Sequence, residues 1–357
     1  MLISNIKLIA SCGFVVFCGL VPLCSSQDFS QTSEAAPASW SEIRAAVTTL
    51  WEQDKFEEAL AVIERGAPEL QGREFEVSDL TMDILFGAGR AEEAMTVWEK
   101  GLNEGFFYFI VPRSATYDAV RRSDRFKETL ARNNGLREKA NRESKPEFKV
   151  ITPASYSPDG SYPLVMVIHG GNQSIVKALD TWDPEVIGDD LIIAYVQSSM
   201  RSDTKSYRWD LGGVDIYQLP TAQNEVLGLY QEIVAKYAVD TAQVTLAGFS
   251  QGGNLSLIMA VEGTIPAKGF FSGCPATRSS IPLEIAKAAA MRGVQGTIFV
   301  GSEDWTAAPT ETTVANLKEA GLSVDFIVME GKGHEYPENF DEVLREAVKG
   351  IYQKAER

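Results

Sequence analysis

The sequence predicts a small all-α repeat domain followed by an α/β domain whose mostly parallel central sheet carries helices on both faces. Three observations predict it. A six-residue block recurs at 55, 90 and 125, a constant step of 35. From residue 148 onward, short runs that are apolar on both sides alternate with longer helical segments, as in a buried parallel sheet. Residues 244–258, VTLAGFSQGGNLSLI, read as a strand, a glycine-rich turn and an apolar helix.

Taken in order, residues 1–26 differ from the rest. Lys7 is their one charge, 8–23 is uncharged, and Cys24, Ser25 and Ser26 form a small-residue exit. This reads as an export signal cut near Ser26, followed by a polar, structureless spacer at 27–39. The chain is therefore expected to be exported, periplasmic or secreted. A retained membrane anchor and lipidation at Cys12 are the alternatives, although the run is short for a spanning helix. Three of the four cysteines (Cys12, Cys18, Cys24) fall in this segment, and Cys274 alone cannot make an internal bridge. Cys274 is read as a small buried residue.

Residues 40–132 hold the repeats. Lys55-Phe56-Glu57-Glu58-Ala59-Leu60 aligns with Arg90-Ala91-Glu92-Glu93-Ala94-Met95 and with Arg125-Phe126-Lys127-Glu128-Thr129-Leu130. The first two copies continue through Val62 and Val97, Glu64 and Glu99, Gly66 and Gly101, with apolar spacing of one helical face. This segment resembles tetratricopeptide-type helical hairpins, whose period is about 34 residues. The resemblance implies a concave groove for a peptide or protein partner. The reading preferred for this chain is an accessory or capping layer packed on the second domain, with the aromatic run 106–110 as its interface. Residues 133–147 are polar and read as a linker.

In the α/β domain, 148–357, strands are expected at 148–152, 164–168, 191–196, 244–247, 269–271, 297–300 and 324–329. Helices are expected at 223–237, 254–262, 283–292, 310–320 and 339–353. At 357 residues with 45% hydrophobic content and a mean hydropathy near zero, the chain has material for two soluble cores. Its net charge of −16 argues against a nucleic-acid partner.

Gly248-Phe249-Ser250-Gln251-Gly252 spells G-x-S-x-G. Between a strand and a helix, such a turn exposes a serine hydroxyl at the carboxyl edge of the sheet. A serine needs a base and a group to orient the base, and the chain has only two histidines. His334 follows the last strand expected, and Asp304 follows the one before it. This gives the order Ser250, Asp304, His334, each in a loop after a strand. Glu303 is the rival acid. His169, in His169-Gly170-Gly171-Asn172, reads as a scaffold residue, with a role as base the alternative. The Gly170-Gly171 pair lets backbone approach a substrate, so the N–H of Gly171, or of Asn172, can join that of Gln251 around an oxyanion. Two histidines without paired cysteines or a carboxylate cluster make no recognisable metal site, so no metal is expected.

With these residues in hand, the chain from 148 onward resembles the α/β-hydrolase superfamily, most closely its phospholipase/carboxylesterase branch. Tyr207-Arg208-Trp209-Asp210 is similar to that branch's tryptophan-containing substrate loop, which implies that Trp209 meets substrate. The resemblance implies hydrolysis of carboxylic esters or thioesters through Ser250, His334 and Asp304, without a cofactor. Two departures stand out: the His-Gly-Gly-Asn loop, and the run Trp305-Thr306-Ala307-Ala308-Pro309 after the acid, longer before proline than usual. The insert 199–220 is too short for a full lid, so a fairly open site for short or polar esters is expected. A peptidase of the same fold and a non-catalytic repeat-binding protein are the other readings.

Overall fold

The computed structural model describes residues 39–66, 70–209, 219–276 and 281–353. The segment expected to direct export (1–26), nearly all of the spacer, Asp210 and Tyr217 lie outside the described residues. Two compact units divide the chain between Arg142 and Glu143. No helix among the described residues is long and apolar enough to cross a membrane.

The first unit is helical: α1 (Trp40–Glu52), α2 (Phe56–Gly66), α3 (Glu74–Gly87), α4 (Ala91–Asn103) and α5 (Asp124–Glu143). Ser39, assigned above to the spacer, instead caps α1 in a reciprocal pair with Glu42, satisfying orphan donors of the first turn. The recurring block opens α2, α4 and α5, and it recurs in three dimensions. Arg90 reaches back to Glu57 at 2.9 Å, and Arg125 to Glu92 at 2.6 Å. Exposed, solvent-screened pairs of this kind add little stability, so they mark the register of the repeat more than they hold it together. In the third copy Lys127 stands where the ladder has glutamate.

Two expectations are corrected here. Residues 133–143 are not linker, because α5 continues through them. Asn133, fully buried in α5, accepts the Tyr108 N–H at 2.8 Å and the Trp98 indole at 3.2 Å, and donates to the Tyr108 carbonyl at 3.0 Å. A buried amide with its capacity used in this way belongs to a packed element. Of the aromatic run 106–110, Phe106, Tyr108 and Ile110 pack in this unit's own core, where Tyr108 stacks on Phe75 at 5.4 Å.

The described residues of the second unit form one seven-stranded sheet: β1 (Glu147–Ile151), β2 (Tyr162–Ile168), β3 (Ile192–Gln197), β4 (Val239–Phe249), β5 (Gly269–Gly273), β6 (Gln295–Gly301) and β7 (Ser323–Met329). Their order is β1-β3-β2-β4-β5-β6-β7; β1 pairs antiparallel with β3 and every other pair is parallel. The remaining helices are α6 (Ile175–Thr181), α7 (Pro184–Ile187), α8 (Leu219–Lys236), α9 (Gln251–Glu262), α10 (Leu283–Met291), α11 (Ala307–Glu319) and α12 (Phe340–Gln353). The pleat of β2 feeds both cores. Leu164, Met166 and Ile168 pack with α8 to α11, while Val165 and Val167 pack with α6, α7 and α12. This is the α/β-hydrolase architecture. From β2 the order runs outward in opposite directions to β3 and to β4, and ligands collect at the carboxyl ends beside such a switch point.

α9 is buried along almost its whole length and lies against the sheet at backbone distance. A Cβ on Gly252 would stand 1.9 Å from the Ile168 carbonyl oxygen, and one on Gly248 would stand 2.4 Å from the Gly252 carbonyl carbon. Neither obstacle is a side chain that could swing away. Gly252→Ala is therefore expected to cost about 3 kcal/mol or more in urea unfolding. Gly228→Ala, in open space on α8, should gain about 0.5–1 kcal/mol. A Gly252→Ala variant as stable as the parent would contradict the close approach.

Candidate active site

β4 ends at Phe249, and Ser250 turns the chain into α9 with φ 55° and ψ −115°. A non-glycine residue held at such a φ costs on the order of 1–3 kcal/mol and persists only where its surroundings enforce it. Here Ser250 N–H donates to the Gly273 carbonyl at 2.8 Å, and the Ser250 carbonyl accepts from Asn254 and Ala276 at 2.9 and 3.1 Å. The serine is thus fixed by its backbone, and its side chain takes no part in capping α9. Gln251 is the first residue of α9, so its N–H has no carbonyl partner within the helix.

Asp304 follows β6 and His334 follows β7, and the fold brings them together: His334 Nδ1 lies 2.8 Å from Asp304 Oδ2. The other carboxylate oxygen accepts the Thr306 N–H at 2.9 Å. The rival Glu303 is exposed, so the acid beside the histidine is Asp304. Phe249, immediately before the serine, packs on the His334 ring with centroids 4.9 Å apart. Serine turn and histidine loop therefore share one wall.

His169 stands apart from this pair. Its Nε2 accepts the Ser198 N–H at 3.2 Å, which puts the ring proton on Nδ1, donated to the Gly170 carbonyl at 2.6 Å. Burial drives its pKa down to about 4, against a smaller opposing effect of the Gly170 carbonyl. It is a neutral buried strut and not a base.

The loop after β2 approaches the elbow closely. A Cβ on Gly171 would lie 3.1 Å from the Gln251 side-chain amide, so the loop that carries Gly171 lies against Gln251. Gly170 N–H is committed to Gln173 Oε1 at 2.8 Å, which makes Gly170 a support for this loop and not a donor to substrate. Trp209 is a further correction. Its indole is 2% exposed, stacks on His169 at 4.9 Å, and donates to the His169 carbonyl at 2.7 Å. Its backbone N–H donates to Gln251 Oε1 at 3.1 Å. Trp209 holds the loop after β2 from behind, with its ring buried against His169.

Sequence reasoning missed Gln173. It pairs through its backbone with Tyr207 at 2.7 and 3.2 Å, tying the loop after β2 to the insert, and its side chain holds Gly170. The only local cue is its position three residues after Gly170. The sequence also gave no sign that Cys274 lies beside the acid. Ligand atoms of Cys274, Asp304 and His334 all lie within 4.8 Å of one another, which makes this a group of described residues able to offer a cation three ligands. A metal there would have to break the bond between His334 and Asp304. Cys274 is fully buried; burial first, and the Asp304 charge second, push its thiol up, away from the thiolate a nucleophile needs.

Burial works to raise the Asp304 pKa, but the hydrogen bond and charge of His334, with the Thr306 N–H and Cys274, outweigh it and hold the carboxyl below its usual range. A depressed folded-state pKa adds stability above the unfolded value, about 3.9, and that stability is lost as pH falls through the folded value. Asp304→Asn should therefore destabilise the protein most near neutrality, with the gap to wild type in urea unfolding narrowing toward the lowest pH at which both fold. A gap independent of pH would contradict the ionised pair.

No protein-family profile and no curated protein matches the chain. Solved structures do match. An uncharacterised protein from Bacillus cereus ATCC 10987 is similar over 88% of this chain and 99% of its own, at 22% identity and a TM-score of 0.48. A Bacillus cereus carboxylesterase is similar over 60% and 99%, at 16% identity and 0.48. Esterase PE8 is similar over 58% and 99%, at 17% identity and 0.47. The assignment of the second unit to the α/β-hydrolase fold rests on its own strand order and elbow.

Proposed function

We propose that the chain is an exported serine hydrolase that cleaves carboxylic esters or thioesters through an acyl-enzyme. The observation that carries this reading is the pairing of His334 with the buried Asp304 across 2.8 Å, in a loop whose histidine packs on the residue before a strained Ser250. Asp304 fixes the imidazole with its proton on Nδ1, which leaves the Nε2 lone pair as a base. Ser250 Oγ attacks the carbonyl carbon as its proton passes to Nε2. The N–H groups of Gln251 and Gly171 receive the developing oxyanion, and the imidazolium returns the proton to the departing alcohol or thiol. Water then repeats the sequence and releases the acid.

The export part of the proposal rests on the uncharged run 8–23. The helical unit is proposed to be of tetratricopeptide type, supported by the ladder in which each arginine pairs with a glutamate 33 positions earlier.

The test is hydrolysis of short-chain acyl esters and thioesters, with the corresponding amides alongside, by wild type and Ser250→Ala. Wild type is expected to prefer esters, and Ser250→Ala to lose on the order of 10⁴-fold or more in kcat. His334→Ala should lose a similar factor and Asp304→Ala somewhat less. Substantial ester hydrolysis by Ser250→Ala would overturn the proposal, and a preference for amides would redirect it to peptide bonds.

A further inference from the structure

The run after the acid departs from the usual spacing, and the structure shows what it delivers. Asp304 and Thr306 are 6% and 0% exposed, yet Trp305 between them is 57% exposed. The turn that carries it is tied down. Glu303 N–H donates to the Lys332 carbonyl, Asp304 N–H to the Gly301 carbonyl and Ala307 N–H to the Asp304 carbonyl, at 2.9, 3.1 and 3.0 Å. A Cβ on Gly301 would come within 2.2 Å of both the Lys332 and the Gly333 carbonyl oxygens, so the acid and histidine loops are pressed together. The indole is thus held out by a clamped backbone. Its centroid lies 5.6 Å from the His334 imidazole at an interplanar angle of 31°. The other ring against that imidazole, Phe249, is 7% exposed and offers no surface.

We propose that Trp305 is a specificity-determining residue: an aromatic platform that binds the alcohol portion of the ester, selecting aralkyl alcohols. The inference rests on the ester-hydrolase reading, because in that chemistry the leaving oxygen takes its proton from His334. Whatever is attached to that oxygen departs beside His334, and among the described residues the open aromatic surface against that ring is the Trp305 indole. The acyl portion remains on Ser250. A flat ring offset-stacked on an indole gains more than area burial alone, so a benzylic alcohol should be favoured over a saturated one of similar size.

The experiment compares kcat/KM of the full chain and its Trp305→Ala and Trp305→Phe variants on ethyl, cyclohexylmethyl and benzyl acetate, with ethyl phenylacetate to place the ring on the acyl side. These alcohols are close in acidity, so the comparison reads binding and not leaving-group reactivity. Trp305→Ala is expected to lower the benzyl-to-ethyl acetate ratio about 3- to 10-fold and to lower the benzyl-to-cyclohexylmethyl ratio as well. Trp305→Phe should restore most of both. The ratio of ethyl phenylacetate to ethyl acetate should be the same in all three proteins, which a general loosening of the site would not give. An active wild type whose benzyl-to-ethyl ratio does not move in Trp305→Ala, or whose phenylacetate ratio falls instead, overturns this inference alone. A folded wild type that cleaves none of these esters overturns the hydrolase reading and this inference with it.

Discussion

The backbone of α9 meets the carboxyl ends of β2 and β4 at a distance that only glycine permits, and the rest of the second unit depends on that contact. Gly252 faces the Ile168 carbonyl, Gly248 faces Gly252, and a Cβ on Gly253 would stand 2.6 Å from the Gly273 carbonyl oxygen. With the helix pressed so close, the chain can leave β4 and enter α9 only through a sharp turn, and Ser250 takes a φ of 55° to make it. The strain of one residue is offset by burial of Leu255, Leu257, Met259, Ala260 and Val261 of α9 in the larger core. The same contact brings the loop after β2 against Gln251. The serine turn, the approach of the loop after β2 and the position of the helix N-terminus are consequences of one packing distance.

Two histidines serve this geometry in opposite ways, and their surroundings decide which does what. His169 is shut away from water, gives both ring nitrogens to backbone groups, and is stacked on Trp209. It can neither gain nor lose a proton readily, so it holds the loop that carries Gly171. His334 keeps part of its ring in the open and spends Nδ1 on a buried carboxylate. A neutral buried strut and a carboxylate-oriented, part-exposed imidazole thus come from one residue type, separated by burial and by the partner at Nδ1. Trp209 and Gln173 extend the support outward, joining the loop after β2 to the insert and to Gln251.

What could be read from the sequence was what is local. Each of the seven strands announced itself as an apolar run, and the places of Ser250, Asp304 and His334 just past strand ends, with Asp304 beside His334, were legible because only two histidines compete. What was not legible is tertiary. The reversed direction of β1 leaves no mark in Glu147–Ile151. α6 and α7, with seven and four residues, are too short for helical periodicity to emerge. Asn133 looked like linker because a polar residue in a polar run gives no hint that an aromatic backbone 25 positions away will satisfy it. Trp209 looked like a substrate contact because an aromatic residue in a loop carries no label for the face it buries. Cys274 and Asp304, 30 positions apart in sequence (304 minus 274), meet because β5 and β6 are neighbours.

The central claim is that the fold turns Ser250 into an activated nucleophile, and this can be tested without knowing the natural substrate. Folded wild-type protein and its His334→Ala variant would be exposed to a fluorophosphonate, digested, and the adduct located by peptide mass spectrometry. The account predicts one adduct, on Ser250 of the wild type, and little or none on the variant. A folded wild type that stays unlabelled, or that labels equally well without His334, would contradict it.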